Sequence, residues 1–251
     1  MTKLSYQLYS SRNFPPLADT LKMVAKAGYA QVEGYGALYA NPSLVVELKA
    51  NLGQNDLHMA SGHFSLDMLE HDSATVLDIA KTFSMKAIYC PHLMPDQRPS
   101  DSAGWVAFGE RLQEVGKQYR EAGYDFGWHN HDFEFKSLPD GSKPHDRIFE
   151  GGKDLSWEAD IAWVVKGGGD PLEWIKKYAG RISAVHVKDT AVDGQNTDED
   201  GWADVGHGTM DWRTIMAAAR AAGVSLFVME HDNPSDHARF AQRSIAAVNK
   251  F

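Results

Sequence analysis

Residues 155–189 read LSWEADIAWVVKGGGDPLEWIKKYAGRISAVHVKD. The stretch begins with a short run rich in aromatic and apolar residues at 155–160, passes into a helical pattern at 171–178, and returns to an apolar run at 182–187. Asp170 is a preferred N-cap residue, Pro171 suits the first helical position, and Gly180 lies where helices commonly end in a left-handed residue. The stretch therefore predicts a strand, a helix and the next strand of a repeating unit.

The same alternation continues in both directions and predicts eight β/α units. The predicted strands cover residues 3–9, 29–35, 57–62, 86–90, 124–129, 155–160, 182–187 and 225–230. The predicted helices cover residues 15–27, 42–52, 73–83, 104–122, 144–150, 171–178, 212–222 and 236–247. Glycines expected just after helix ends are Gly28, Gly53, Gly123, Gly180 and Gly223. Eight such units most economically close into an α/β fold, the (β/α)8 TIM barrel, although a doubly wound open sheet shows a similar alternation.

Length and composition limit the classes of protein to consider. A chain of 251 residues with 43% hydrophobic content can bury a large core, and no linker or composition break divides it, so we expect one domain over 1–251. Cys90 is the single cysteine, and neither a leader pattern nor a long apolar run is present, which predicts a cytoplasmic protein without membrane insertion. The formal net charge of -9 argues against nucleic-acid binding and favours a small-molecule substrate. A homo-oligomer is compatible with this composition.

Nucleotide-binding motifs are missing from the sequence. No predicted strand is followed by GxGxxG, and GxxxxGK[ST] does not occur, so nothing indicates a cradle for nucleotide phosphates.

Metal-ligand residue types end the late predicted strands, whose interiors are apolar. The strand ends read WHNHDFE at 128–134, WEAD at 157–160, VHVKD at 185–189 and MEHD at 229–232. In a barrel these ends converge around the axis at the catalytic face. A mixed carboxylate and imidazole set suits Mn²⁺, Mg²⁺, Co²⁺ or Zn²⁺, and a single cysteine leaves no thiolate cluster. The sequence therefore predicts one divalent metal ion at this rim.

Several local motifs resemble a known family. They read GWHNHDFEF at 127–135, DIAW at 160–163 with GDP at 169–171, GRI at 180–182 leading to HVKD at 186–189, GHG at 206–208 with DW at 211–212, and EHD at 230–232. On these motifs, and over nearly the whole chain, the sequence resembles the xylose isomerase-like barrel family. That family includes sugar phosphate isomerases/epimerases, ketose 3-epimerases, hydroxypyruvate isomerase and inosose dehydratase.

The resemblance implies a ligand set of Glu, Asp, His and Glu from strands five to eight. The last three positions carry over onto Asp160, His186 and Glu230. Strand five departs from the common pattern, because His129 stands where the first Glu is usual and the nearest acid is Glu134. We favour Glu134 as the fourth ligand, since a third carboxylate keeps the site rich in oxygen, and keep His129 as the alternative.

Removing a proton next to a carbonyl leaves an enediolate, whose negative oxygens a divalent ion stabilises. The resemblance implies that strands five and eight exchange the proton, which assigns catalytic roles to Glu230 and to a group on strand five. The candidates on strand five are Glu134, His129 and His131. Residues expected to contact the substrate are His63, His92, Trp163, Lys188 and His207, and weaker rim candidates are Gln7, Tyr9 and Glu33.

Metal-dependent isomerisation or epimerisation of a ketose or keto-sugar is the leading hypothesis. A sugar dehydratase or lyase, resembling inosose dehydratase or cleaving a keto-glycoside, would use the same site with a histidine of the HNH motif at 129–131 as proton donor. An abasic-site endonuclease shares the barrel, but it needs several ions and a basic DNA track. A noncatalytic sugar-binding barrel would bind a ligand without turnover.

Overall fold

The strands of the protein close into a barrel in this computed structural model, which describes residues 4–251. The strands are β1 (Leu4–Gln7), β2 (Gln31–Gly34), β3 (His58–His63), β4 (Ala87–Cys90), β5 (Asp125–His129), β6 (Ser156–Asp160), β7 (Ile182–Val187), β8 (Asp189–Thr190), β9 (Trp202–Ala203) and β10 (Leu226–Met229). Eight of them pair in parallel in the order β1-β10-β7-β6-β5-β4-β3-β2, and β2 pairs with β1 to complete the circle. The predicted (β/α)8 barrel is confirmed, and the open sheet is excluded.

Helices follow the barrel strands along the chain. The α-helices are α1 (Leu17–Ala27), α2 (Pro42–Gln54), α3 (Leu66–His71), α4 (Ser73–Phe83), α5 (Ser102–Glu121), α6 (Pro144–Gly151), α7 (Ile161–Lys166), α8 (Pro171–Lys177), α9 (Trp212–Ala221) and α10 (His237–Val248). Short 3-10 helices cover Leu8–Ser11, Gly36–Tyr39, Pro95–Gln97, Phe133–Phe135 and Thr197–Glu199. Within residues 4–251, no helix is long and apolar enough to cross a membrane.

Some predicted boundaries differ from the structure. Residue 3, predicted to open the first strand, lies outside the described residues. That strand ends at Gln7 rather than at residue 9, because the Gln7 side chain accepts a hydrogen bond from the Tyr9 backbone N–H at 3.0 Å and the chain turns into a 3-10 helix. Gly53 was expected after a helix but lies inside α2, whereas the other four glycines named above take positive φ.

Two helices, α3 and α7, were not predicted. Each has only six residues, too few to show a helical period in the sequence. Both begin at a side-chain cap directly after a strand: Ser65 Oγ accepts from the Met68 N–H at 3.2 Å, and Asp160 Oδ1 accepts from the Trp163 N–H at 3.0 Å. Local capping therefore starts these helices where the periodicity gave no signal.

Strand alternation sends aromatic residues outward and polar residues toward the barrel axis. Phe126 of β5 stacks on Tyr119 of α5, and Trp128 meets Phe108 of the same helix edge-on, each with ring centroids 5.3 Å apart. Because successive side chains of a strand point to opposite faces, His129 lies on the inner face. The same alternation places the inward-facing residues of the other strands around the barrel axis, where they form the candidate site.

Candidate metal centre and active site

Four side chains from adjacent strands meet at the carboxyl end of the barrel. They are His129 at the end of β5, Asp160 at the end of β6, His186 in β7 and Glu230 just after β10. Their ligand atoms all lie within 4.8 Å of one another, and all four residues are buried. The strand register explains this proximity, because Asp160 is paired directly with His186 across β6 and β7.

This donor set fits a divalent ion. Asp160 uses Oδ1 to cap α7, and its fully buried Oδ2 is paired with the Lys188 ammonium at 2.9 Å. His186 Nδ1 lies 2.8 Å from Glu230 Oε2. Two carboxylates and two imidazoles whose ligand atoms lie this close together suit Mn²⁺, Co²⁺ or Zn²⁺.

Lys188 places a positive charge beside these carboxylates. Its buried Nζ lies 2.9 Å from Asp160 Oδ2, 2.9 Å from Glu230 Oε2 and 3.0 Å from Asp232 Oδ1. Burial disfavours the ammonium form, but Asp160, Asp232 and Glu230 outweigh it and raise the pKa of Lys188 well above its ordinary value. Lys188 is therefore charged and held in place by ion pairs.

A second polar layer lies beneath the first, on strands β2, β3 and β6. His63 Nε2 lies 2.6 Å from Glu158 Oε2 and 3.2 Å from Glu33 Oε1. Glu33 accepts hydrogen bonds from the Gln7 amide at 2.8 Å and from the Ser61 hydroxyl. Burial opposes the ionisation of Glu158, yet His186 and His63 keep its pKa well below the ordinary range. Sequence reasoning missed Glu158, although it precedes Asp160 by two residues and so shares its face of the strand.

His129 and His131 favour the neutral form. Burial, together with the nearby His186, lowers the pKa of His129 to about 4. Burial and the neighbouring His129, Lys188 and His92 lower the pKa of His131 well below its ordinary value. A neutral imidazole can ligate a metal ion or accept a proton, so both histidines remain available for chemistry.

Glu134 lies apart from the cluster. It is fully buried on the 3-10 helix Phe133–Phe135, where Oε1 accepts from Trp128 Nε1 and Oε2 accepts from the His131 N–H, both at 3.0 Å. Burial raises the pKa of Glu134 to about 8. The sequence analysis favoured Glu134 over His129 as the fourth ligand. The chain turns after β5, and Glu134 instead hydrogen-bonds to Trp128 and to the backbone of the HNH motif. The structure places His129 with Asp160, His186 and Glu230.

A cavity of about 770 Å³ opens above the cluster, large enough for a sugar. Its wall includes eight of the predicted site and rim residues: Tyr9, His63, His92, His129, His131, Trp163, Lys188 and Glu230. Asp160 and His186 lie behind this wall and are fully buried. His207 does not line the cavity. It is exposed in a loop that Asp189 anchors by accepting from the backbone N–H groups of Gly206 and Met210 at 2.9 and 3.1 Å.

Arg12 and Asp232 also line the cavity and were not predicted. The Arg12 guanidinium donates to the backbone oxygens of Tyr9 and Asp232 and lies 3.9 Å from the centre of the Tyr9 ring. Asp232 could have been found from its spacing, because it follows Glu230 by two residues. Arg12 follows the 3-10 helix Leu8–Ser11, which the sequence did not predict, so no pattern indicated that Arg12 reaches the cavity.

The fold and the site together define a (β/α)8 barrel with a carboxylate and imidazole cluster at its catalytic mouth. The chain belongs to the xylose isomerase-like TIM barrel family, whose model matches residues 21–250. A search among curated proteins finds no match to the chain.

Solved structures show the same fold at low sequence identity. A sugar phosphate isomerase/epimerase from Parabacteroides distasonis ATCC 8503 aligns with a TM-score of 0.81 and 21% identity over 98% of this chain and 92% of that one. The probable 3-DHS dehydratase from Bacillus anthracis gives 0.75 and 13% identity over 98% of both chains. The IolI protein with a bound zinc atom gives 0.70 and 17% identity over 99% of this chain and 95% of that one. At these identities the likeness shows the fold alone.

Proposed function

We propose that the protein is a divalent-metal-dependent isomerase or epimerase that acts on a ketose or keto-sugar through an enediolate. The observation that carries this proposal is the cluster of four ligand atoms within 4.8 Å of one another at the base of a cavity of about 770 Å³. A small molecule in that cavity lies against the cluster, because His129 and Glu230 belong to both.

We assign the ligand role to His129, Asp160, His186 and Glu230, replacing Glu134 by His129. Both oxygens of Glu134 accept hydrogen bonds on the far side of the HNH loop, which supports this change. A divalent ion at this position, for which Mn²⁺, Mg²⁺, Co²⁺ and Zn²⁺ are candidates, supplies Lewis-acid stabilisation of the enediolate oxygens.

Proton transfer falls to side chains that reach the cavity from two sides of the barrel. Glu230 follows β10 and His131 follows β5, and both line the cavity. A sugar between them has a group capable of proton transfer on each side, as two-base epimerisation requires. His131 Nδ1 is buried and has no hydrogen-bond partner among residues 4–251, so this nitrogen is not committed to another protein group. Trp163, His92 and His63 complete the wall around the sugar.

The cations of the cavity support an unphosphorylated substrate. Lys188 is committed to three carboxylates, Arg111 forms a bidentate pair with Glu70 at 2.5 and 2.6 Å, and Arg12 donates to backbone oxygens. A phosphate would have to compete with these partners. We also propose that the protein binds a small-molecule substrate and no nucleic acid, that it is cytoplasmic, and that residues 1–251 form one domain.

Solvent exchange tests the proposal directly. The purified, Mn²⁺-loaded protein is incubated with ketoses and keto-sugars in deuterated water, and proton NMR follows the signal of the proton next to the carbonyl. We expect that signal to disappear with wild type and to persist with Asp160→Asn, which keeps the cap oxygen of α7 but weakens the metal centre. Persistence of the signal with every substrate and metal would defeat the proposal.

A dehydratase or lyase is the second candidate, favoured by His129 and His131 standing beside Glu230 in one cavity. There the same enediolate would expel a leaving group on the neighbouring carbon, with a histidine donating the proton to it. The same incubations distinguish the two, because elimination gives an unsaturated or cleaved product with new vinyl proton signals. Epimerisation gives only isomers of the starting sugar.

A further inference from the structure

We propose that the layer beneath the candidate centre is a second divalent-metal position, formed by Glu33, His63, Glu158 and Nε2 of His186. It lies deeper in the barrel than the centre proposed above and shares His186 with it. The inference rests on the proposed metal centre only through this shared residue.

The two histidines of the deep position each lie close to both of its carboxylates. His63 Nε2 lies 2.6 Å from Glu158 Oε2 and 3.2 Å from Glu33 Oε1, and His186 Nε2 lies 2.7 Å from Glu33 Oε1 and 3.3 Å from Glu158 Oε1. Tetrahedral ligands at metal distances of about 2.1 Å stand roughly 3.4 Å apart. Small outward movements of these side chains would therefore admit an ion.

His186 has one nitrogen for each layer. Its Nδ1 faces Glu230 at 2.8 Å, whereas its Nε2 faces Glu33 and Glu158. Once both N–H protons are displaced to solvent, the ring can hold one ion through each nitrogen. His129 lies within reach of both layers, since its Nδ1 also stands 3.0 Å from Glu158 Oε2, and we assign it to the upper ion together with Asp160 and Glu230.

The charges of the two layers favour two ions. The carboxylates are Glu33, Glu158, Asp160, Glu230 and Asp232. Against these five negative charges stand the ammonium of Lys188 and, with one divalent ion, two further positive charges. Two negative charges remain uncompensated in a buried site, which is unfavourable. A second divalent ion reduces this imbalance to one negative charge, because His186, once it bridges the two ions as an imidazolate, carries a negative charge of its own.

Two features of the deep layer point to a ligand. Glu158 Oε1 is buried and has no hydrogen-bond partner among residues 4–251, since His186 Nε2 approaches it without hydrogen-bond geometry. His63 lines the cavity and is 8% exposed, so one ligand of the deep position is in contact with the cavity. Glu33 and Glu158 lie fully buried behind it.

The test counts metal ions in the full-length protein. Wild type is equilibrated with Mn²⁺, freed of excess ion, and analysed by mass spectrometry of the metal and by electron paramagnetic resonance. We expect two ions per chain and a spectrum of two magnetically coupled Mn²⁺ ions. Glu158→Gln should retain one uncoupled ion, because it removes a deep ligand only. Asp160→Asn should also retain one, because it removes an upper ligand only.

Glu70→Gln is the matched control, since Glu70 lines the same cavity but pairs with Arg111. It should keep both ions. Glu33→Gln repeats the test of the deep position if Glu158→Gln does not fold, as judged by circular dichroism. One ion per chain in wild type, or two coupled ions in folded Glu158→Gln and Glu33→Gln, would overturn the inference. Because the readout is metal content, two ions without proton exchange would defeat only the proposed function, and one ion with exchange would defeat only this inference.

Discussion

Lys188 is the buried cation of the candidate centre, and Lys188→Met isolates the contribution of its charge to stability. The ammonium lies 2.9 Å from both Asp160 and Glu230 and 3.0 Å from Asp232. Methionine keeps an unbranched apolar chain of similar size but removes the charge, so the variant leaves three carboxylates without their partner.

The geometry sets the size of the expected effect. At 2.9 Å and an effective dielectric constant of about 20, one unit-charge pair attracts by about 6 kcal/mol. Removing both charges from water opposes this attraction by several kcal/mol per ion. Breaking a buried pair on one side leaves the other charge uncompensated, which costs about 3–5 kcal/mol. We expect Lys188→Met to lower the free energy of unfolding of the ion-free protein by about that amount.

Lys177→Met is the matched control. Lys177 Nζ lies 2.6 Å from Asp146 Oδ1, closer than any partner of Lys188, but its side chain is 53% exposed. Because solvent screens an exposed pair, we expect a loss below about 1 kcal/mol. The shorter ion pair should therefore contribute less than the buried one.

Urea unfolding in chelator measures both variants, with fluorescence and circular dichroism followed together so that coincident transitions justify a free energy. Repeating the series with Mn²⁺ adds a second comparison. The ion should stabilise Lys188→Met more than wild type, because its charge replaces the missing ammonium beside Asp160 and Glu230. Equal losses for Lys188→Met and Lys177→Met in chelator would refute the electrostatic reasoning.

Further predictions concern the ligands and the helices. Asp160→Asn should lose the upper Mn²⁺ ion while circular dichroism stays unchanged; the same metal content as wild type would contradict it. In Mn²⁺ titrations His129→Ala should lose the upper ion and Glu134→Gln should retain it, and the reverse result would restore Glu134 as a ligand. Burial raises the pKa of Glu134 from 4.5 to about 8, so its contribution to stability is complete below pH 4.5 and declines as pH rises toward 8. Urea midpoints of Glu134→Gln should lack this decline, and an unchanged slope would show that Glu134 is not its source. Gly53→Ala should raise the free energy of unfolding by about 0.5–1 kcal/mol, because the glycine lies in α2 with nothing within 4 Å of an added Cβ. Gly109→Ala should lower it by about 1–3 kcal/mol, because that Cβ would stand 2.1 Å from the Ile148 carbonyl oxygen; the same urea experiment checks both signs.

The sequence was sufficient to predict where the upper cluster forms. Asp160, His186 and Glu230 each end or follow a buried strand, and parallel strands of a barrel bring such ends together at one mouth whatever the path of the loops. Their proximity in the structure follows from this topology. The positions of Glu134 and His207 depended on loops, whose course is set by contacts that no local pattern encodes. Glu134 accepts hydrogen bonds from Trp128 Nε1 and the His131 N–H and so lies away from the cluster. His207 lies at the surface, in a loop whose backbone donates hydrogen bonds to Asp189.

The alternation of side chains along a strand could have predicted the deep layer, because it identifies inward-facing residues that precede the strand ends. Glu158 precedes Asp160 by two residues, and Ser61 precedes His63 by two, so each pair shares the inner face of its strand. Replacing a buried ion pair by apolar residues of similar volume is often neutral or stabilising, so stability alone gives no reason for a carboxylate at the barrel axis. A carboxylate two residues before a candidate ligand therefore indicates function rather than packing. On β6, the candidate site therefore extends from Asp160 at the mouth of the barrel to Glu158 beneath it.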